Sequence, residues 1–72
     1  MTTKKTTRQR FGANLKAARK AAGFTQDALA REVGMTLNTI VRWERGEREP
    51  DTLAMMEVVA AAVGMTITEL LK

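Results

Sequence analysis

The 72 residues carry 12 Lys and Arg against 8 Asp and Glu, for a net charge of +4, with 44% apolar and 28% charged side chains and neither cysteine nor histidine. A chain of this length makes one small domain, burying roughly 60% of its unfolded surface, and its composition suits a packed globule. The missing Cys and His exclude disulfides, thiolate chemistry, Cys/His zinc sites and the usual neutral-pH general base, which closes most routes to catalysis, and the eight acids show neither paired spacing nor metal-ligand clustering, so no metal, no cofactor and no enzyme activity are expected.

Charge is unevenly placed. Residues 1–26 hold Lys4, Lys5, Arg8, Arg10, Lys16, Arg19 and Lys20 without an acid, whereas residues 27–72 set 5 bases against 8 acids. Residues 1–6 are read as a basic arm reaching for phosphates or a minor groove, with a solvated tail as the alternative. An acid-free stretch rich in Thr, Lys and Arg also suits a transit peptide, but its removal would strip Phe11, Leu15, Ala18 and Ala22 from a chain that needs them. No apolar run approaches the roughly 18 residues of a membrane span and no secretory signal opens the sequence, so a cytoplasmic protein is expected, nucleoid-associated when bound.

The domain proper is expected over residues 7–72. Thr6 and Gln9 have capping-box spacing, Phe11, Leu15, Ala18 and Ala22 follow at helical intervals, and Gly23 supplies a left-handed stop, which predicts a helix over 7–22. Thr25 caps a second helix over 26–33, with Asp27 in its first turn, Leu29 and Val33 pointing inward, and Gly34 as its end. Thr36 caps a third over 37–45, with Ile40 and Trp43 inside and Gly46 as its stop. Pro50 and Asp51 open a fourth, whose stripe of Leu53, Met56, Ala60 and Val63 runs to Gly64. Thr66 and Glu69 repeat the capping box before Ile67, Leu70 and Leu71. Strand patterning is absent, so an all-α bundle of five short helices is expected.

Between helices two and three stand only Gly34, Met35 and Thr36, a turn that forces a large angle and requires the small Ala30 and a positive φ at Gly34. Residues 37, 38, 41, 42 and 45 then share the helix-three face opposite Ile40 and Trp43. That face mixes Leu37, Asn38, Val41 and Arg42, where a merely solvated surface would carry plain charge.

The stretch TQDALAREVGMTLNTIVRWERG resembles the helix-turn-helix of the lambda-repressor-like (Cro/phage-repressor, XRE-type) DNA-binding family, and the resemblance extends over about residues 8–71. It implies a compact five-helix domain whose third helix enters the major groove, with Leu37, Asn38, Thr39 and Arg42 at base edges and Thr36 at the leading end of that face. Arg42 is suited to guanine O6 and N7, Asn38 to adenine or a phosphate, and Leu37 and Val41 to thymine methyls. By the same resemblance Gln26 clamps a phosphate at the head of helix two, and Arg8, Arg10, Arg45 and Arg48 are further phosphate candidates, Arg48 weakened by its neighbours Glu47 and Glu49. Arg19 and Glu44 are expected to form a structural salt bridge.

The function so implied is sequence-specific binding of double-stranded DNA by a small prokaryotic or phage transcriptional regulator of the repressor type. One such module covers few base pairs, so a homodimer on a palindromic operator is expected, with Ile67, Leu70 and Leu71 as dimer contacts or as closure of the core. No site for a small-molecule ligand is evident. The alternative is a protein-interaction module, such as an antitoxin-type partner or a polymerase-binding factor, which would not require Asn38 and Arg42 on the exposed face.

Overall fold

The computed structural model describes residues 5–72, so Lys4 and the rest of residues 1–4 of the expected arm lie outside the described residues. Five helices follow in order: α1 (Thr7–Ala21), α2 (Gln26–Val33), α3 (Leu37–Glu44), α4 (Leu53–Ala62) and α5 (Ile67–Leu71). Among the described residues there is no strand, and no helix is long and apolar enough to cross a membrane.

Each helix begins at a threonine whose hydroxyl accepts a backbone N–H three residues on: Thr6, Thr25, Thr36, Thr52 and Thr66. A hydroxyl in this place satisfies one of the four unpaired N–H groups that every helix start exposes. Both expected capping boxes form, the Thr6 N–H donating to Gln9 Oε1 at 2.9 Å and the Thr66 N–H to Glu69 Oε1 at 2.8 Å. The four glycines read as stops, Gly23, Gly34, Gly46 and Gly64, all have positive φ.

α1 packs on α5 and α3, α2 on α3 and α4, and α4 on α5. Phe11, Leu15, Leu29, Ile40, Val59 and Leu70 are fully enclosed between them. Phe11 and Trp43 meet edge to face with ring centroids 6.4 Å apart, a geometry worth about 0.5–1.5 kcal/mol beyond the area buried. Gly12 brings α1 against the end of α3, where a Cβ would overlap the Trp43 carbonyl oxygen and stand 2.9 Å from that of Glu44.

Three expectations are corrected. α4 is opened by Thr52, whose hydroxyl accepts the Met55 N–H at 3.1 Å, while Pro50 is buried and Asp51 lies in the loop. A hydroxyl directly before the helix is the better cap, and the proline ring packs instead. Of the expected α4 stripe, Ala60 and Val63, the residue after the helix, are buried and Met56 is half-buried, but Leu53 is 68% exposed and Val59 takes a fully enclosed position. This helix has apolar residues on nearly every face, so spacing alone did not phase it. Ala22 is exposed, because α1 has ended at Ala21.

Candidate nucleic-acid interface

The turn between α2 and α3 is closed by backbone hydrogen bonds. Gly34, at φ 73°, donates to Arg31 O at 3.3 Å, and Met35 donates to Ala30 O at 2.8 Å, so the last carbonyls of α2 are satisfied while the chain reverses. Ala30 is enclosed at the approach. Immediately after, the Thr36 hydroxyl accepts the Thr39 N–H at 3.2 Å and lies 2.9 Å from the Thr39 hydroxyl, which pins the start of α3.

α3 is two-faced. Ile40 and Trp43 are buried, Asn38, Arg42 and Arg45 on the opposite side are exposed, Leu37 is 45% exposed and Val41 half-buried, and Thr39, one turn before Trp43, is half-buried at the edge of that face. Leaving Leu37 in water forgoes the stabilisation that burying an aliphatic side chain brings, and the core has not taken it up. An open groove of about 390 Å³ runs beside this face, lined by Asn38, Thr39, Arg42, Arg48, Asp51 and Met55. The loop after α3 thus brings Arg48 to the same side as Asn38 and Arg42.

The acids flanking Arg48 are engaged elsewhere. Glu49 holds Arg8 in a two-bonded ion pair, Nε to Oε2 and Nη2 to Oε1. Glu47 Oε1 lies 3.7 Å from Arg42 Nε. Arg10, expected on a phosphate, is placed otherwise: it donates to Leu71 O at 3.3 Å, Lys5 O at 2.8 Å and Thr7 Oγ1 at 3.1 Å, tying α1 to the end of α5. A guanidinium with three acceptors inside the chain is part of the scaffold.

Gln26 opens α2 as expected, and its Nε2 donates to Glu44 Oε1 at 3.0 Å. One amide N–H is thereby fixed, and the side chain stands beside the first N–H groups of α2, where the helix dipole favours an anion. The same carboxylate accepts from Arg19, Nε to Oε2 at 2.6 Å and Nη2 to Oε1 at 3.2 Å, while Arg19 Nη1 donates to Phe24 O at 2.8 Å. This three-residue network joins α1, the head of α2 and the end of α3.

Sequence reasoning did not find Gly12, the Gln26 to Glu44 bond, or Asn14, whose Nδ2 donates to Leu70 O at 2.8 Å and ties α1 to α5. Leu70, expected as a dimer contact or as closure of the core, is 0% exposed and closes the core, whereas Ile67 and Leu71 are half-buried. A single apolar triplet does not distinguish core from interface until the packing partner is known.

A family model described as helix-turn-helix matches residues 15–70. This chain belongs to the lambda-repressor-like helix-turn-helix family of DNA-binding domains. The helix-turn-helix chain is similar in structure to the clp gene regulator ClgR from Corynebacterium glutamicum, with a TM-score of 0.86 at 25% identity over 96% of this chain and 72% of the other. A second ClgR structure aligns over 99% of this chain and 90% of the other, with a TM-score of 0.87 at 24% identity, which carries the fold alone. Hydroxypropylphosphonic acid epoxidase from S. wedmorenis is similar over 96% of this chain and 36% of its own length, with a TM-score of 0.87 at 32% identity. The helix-turn-helix chain therefore spans about a third of that enzyme, and the fold occurs both in a regulator and within an enzyme. No curated protein matches the sequence.

Proposed function

We propose that the helix-turn-helix chain binds double-stranded DNA sequence-specifically, inserting α3 into the major groove, and acts as a small transcriptional regulator of the prokaryotic or phage repressor type. The observation that carries this reading is the two-faced α3: Ile40 and Trp43 lock it into the core, while Leu37, Asn38 and Arg42 stand out from it. Thr36 and Thr39 at its leading end and Val41 on its flank complete the base-facing set. Arg42 reads guanine O6 and N7, Asn38 reads adenine, and Leu37 and Val41 cover thymine methyls, each good bidentate pair giving about 1–3 kcal/mol of discrimination.

Gln26, Arg45 and Arg48 hold phosphates on either side, and Arg8 joins them when it leaves Glu49; these contacts fix register and carry the salt dependence. A homodimer on a two-fold operator supplies the remaining specificity, with half-sites roughly 34 Å apart and Ile67 and Leu71 as contacts. The likeness takes in 72% of the ClgR chain but about a third of the epoxidase, which supports this role over catalysis.

Selection of binding sites from random DNA, repeated with Arg42→Ala, tests the reading. Enriched palindromes that lose a guanine preference in the variant support it. No enrichment above background at moderate salt rejects it.

A further inference from the structure

Arg42 and Glu47 are brought together by the backbone. α3 ends in a turn in which Gly46, at φ 76°, donates to Trp43 O at 3.1 Å and Glu47 donates to Arg42 O at 3.0 Å. Satisfying the last carbonyls in this way fixes the residue after the glycine over the final helical turn. The Glu47 carboxylate therefore returns onto the side chain of the residue whose carbonyl its own N–H caps, and Oε1 sits 3.7 Å from Arg42 Nε. Both side chains are about half exposed, at 52% and 49%.

At 3.7 Å this is a charge contact longer than a hydrogen bond, and which edge of the guanidinium it faces decides what remains. Arg presents five N–H groups in a rigid plane, and an acid at the Nε edge leaves the terminal Nη1 and Nη2 fork open. Guanine O6 and N7 accept two parallel N–H groups, and with the acid on the Nε side the terminal fork is the pair left to supply them. A negative charge beside it also opposes phosphate, the competing ligand for any exposed arginine on a DNA-facing surface.

We propose that Glu47 is a specificity-determining residue of the interface: it positions the Arg42 guanidinium for a guanine edge and disfavours phosphate as a partner for that side chain. This rests on the reading of α3 given above. An acid at the DNA face lowers total affinity, since it repels every duplex alike. In return it raises the ratio between the cognate site and all others, because Arg42 loses its sequence-independent way of binding. Glu49 differs in its partner, since its carboxylate pairs with Arg8 and not with Arg42.

The test compares wild type, Glu47→Gln and Glu47→Ala on three duplexes: the selected operator, the same operator with the Arg42-dependent guanine replaced, and an unrelated sequence, each over a salt series. Glu47 is half exposed, so both variants are expected to fold, and melting curves check it. Binding to the unrelated duplex is expected to tighten in both variants. The ratio of operator to guanine-replaced operator is expected to fall by about five- to tenfold, part of what a bidentate arginine contributes. A ratio unchanged within error, with all three duplexes bound tighter in parallel, would reduce Glu47 to a simple repulsive charge and overturn the inference while leaving the reading of α3 intact. A wild type that does not discriminate among the three duplexes would instead overturn that reading.

Discussion

Arg19 and Glu44 form a two-bonded ion pair almost wholly shut from water, with side-chain exposures of 8% and 3%. Each end has a further partner: Arg19 also donates to Phe24 O, and Glu44 also accepts from Gln26. A buried pair of this kind adds little over an apolar replacement, but removing one member strands the other charge at a cost of about 3–5 kcal/mol. Glu44→Ala is therefore expected to lower the melting temperature by more than about 10 °C, a drop that calorimetry would register plainly in a domain this small. A melting temperature unchanged within error would show that Arg19 finds water or another acceptor without loss.

Gly12 makes the same junction possible by having no side chain. A methyl group there meets the backbone carbonyls of Trp43 and Glu44, which cannot rotate away as a flexible side chain would. Gly12→Ala is expected to destabilise by about 1–3 kcal/mol in urea unfolding, despite the better helix propensity of alanine. Equal or greater stability in the variant would mean that α1 and α3 slide apart freely.

Leu70 and Leu53 are similar in composition and opposite in placement. Leu70→Ala empties a fully enclosed position and is expected to cost about 2–5 kcal/mol, while Leu53→Ala at the outer start of α4 is expected to stay within about 0.5 kcal/mol. A matched pair of denaturant titrations separates them, and equal losses would contradict the packing of α4 and α5.

Glu69 is exposed, and its carboxyl lies below the ordinary glutamate range, chiefly because it accepts the Thr66 backbone N–H, and next through the Thr66 side chain. Its folded-state value is depressed, so its contribution is present above the unfolded value and lost as pH falls through the folded one. An NMR titration of the Glu69 carboxyl is expected to give a midpoint below that of an unstructured glutamate. A midpoint at or above the unstructured value would mean that the second capping box is open in solution.

Much of the fold was legible because it is written in short-range chemistry. A threonine three residues ahead of a helical N–H and a glycine just past the last turn mark ends within one or two residues, and all but one of the threonine caps were read this way. Thr52 was missed because Pro50 and Asp51 are start signals too, and only packing shows that the proline ring is buried in the loop. The phase of α4 was illegible for the opposite reason, since Leu53, Val58 and Val59 are equally apolar and only the position of α2 and α5 decides which is inside. The buried Arg19 to Glu44 pair came from resemblance, while Arg8 to Glu49 joins residues far apart in sequence and had no local signal. Arg42 to Glu47 did have one: a glycine that ends α3 fixes the residue after it above the last turn.

The most direct measurement is an NMR titration of the labelled protein with the selected operator duplex, following backbone and side-chain signals of every helix. The largest shifts and intermolecular contacts are expected at Leu37, Asn38 and Arg42, followed by Gln26 and Arg48, with Phe11, Leu15 and Leu70 unmoved. Contacts confined to α4 and α5, with the three α3 residues unchanged at saturation, would contradict the assignment of α3 as the reading helix.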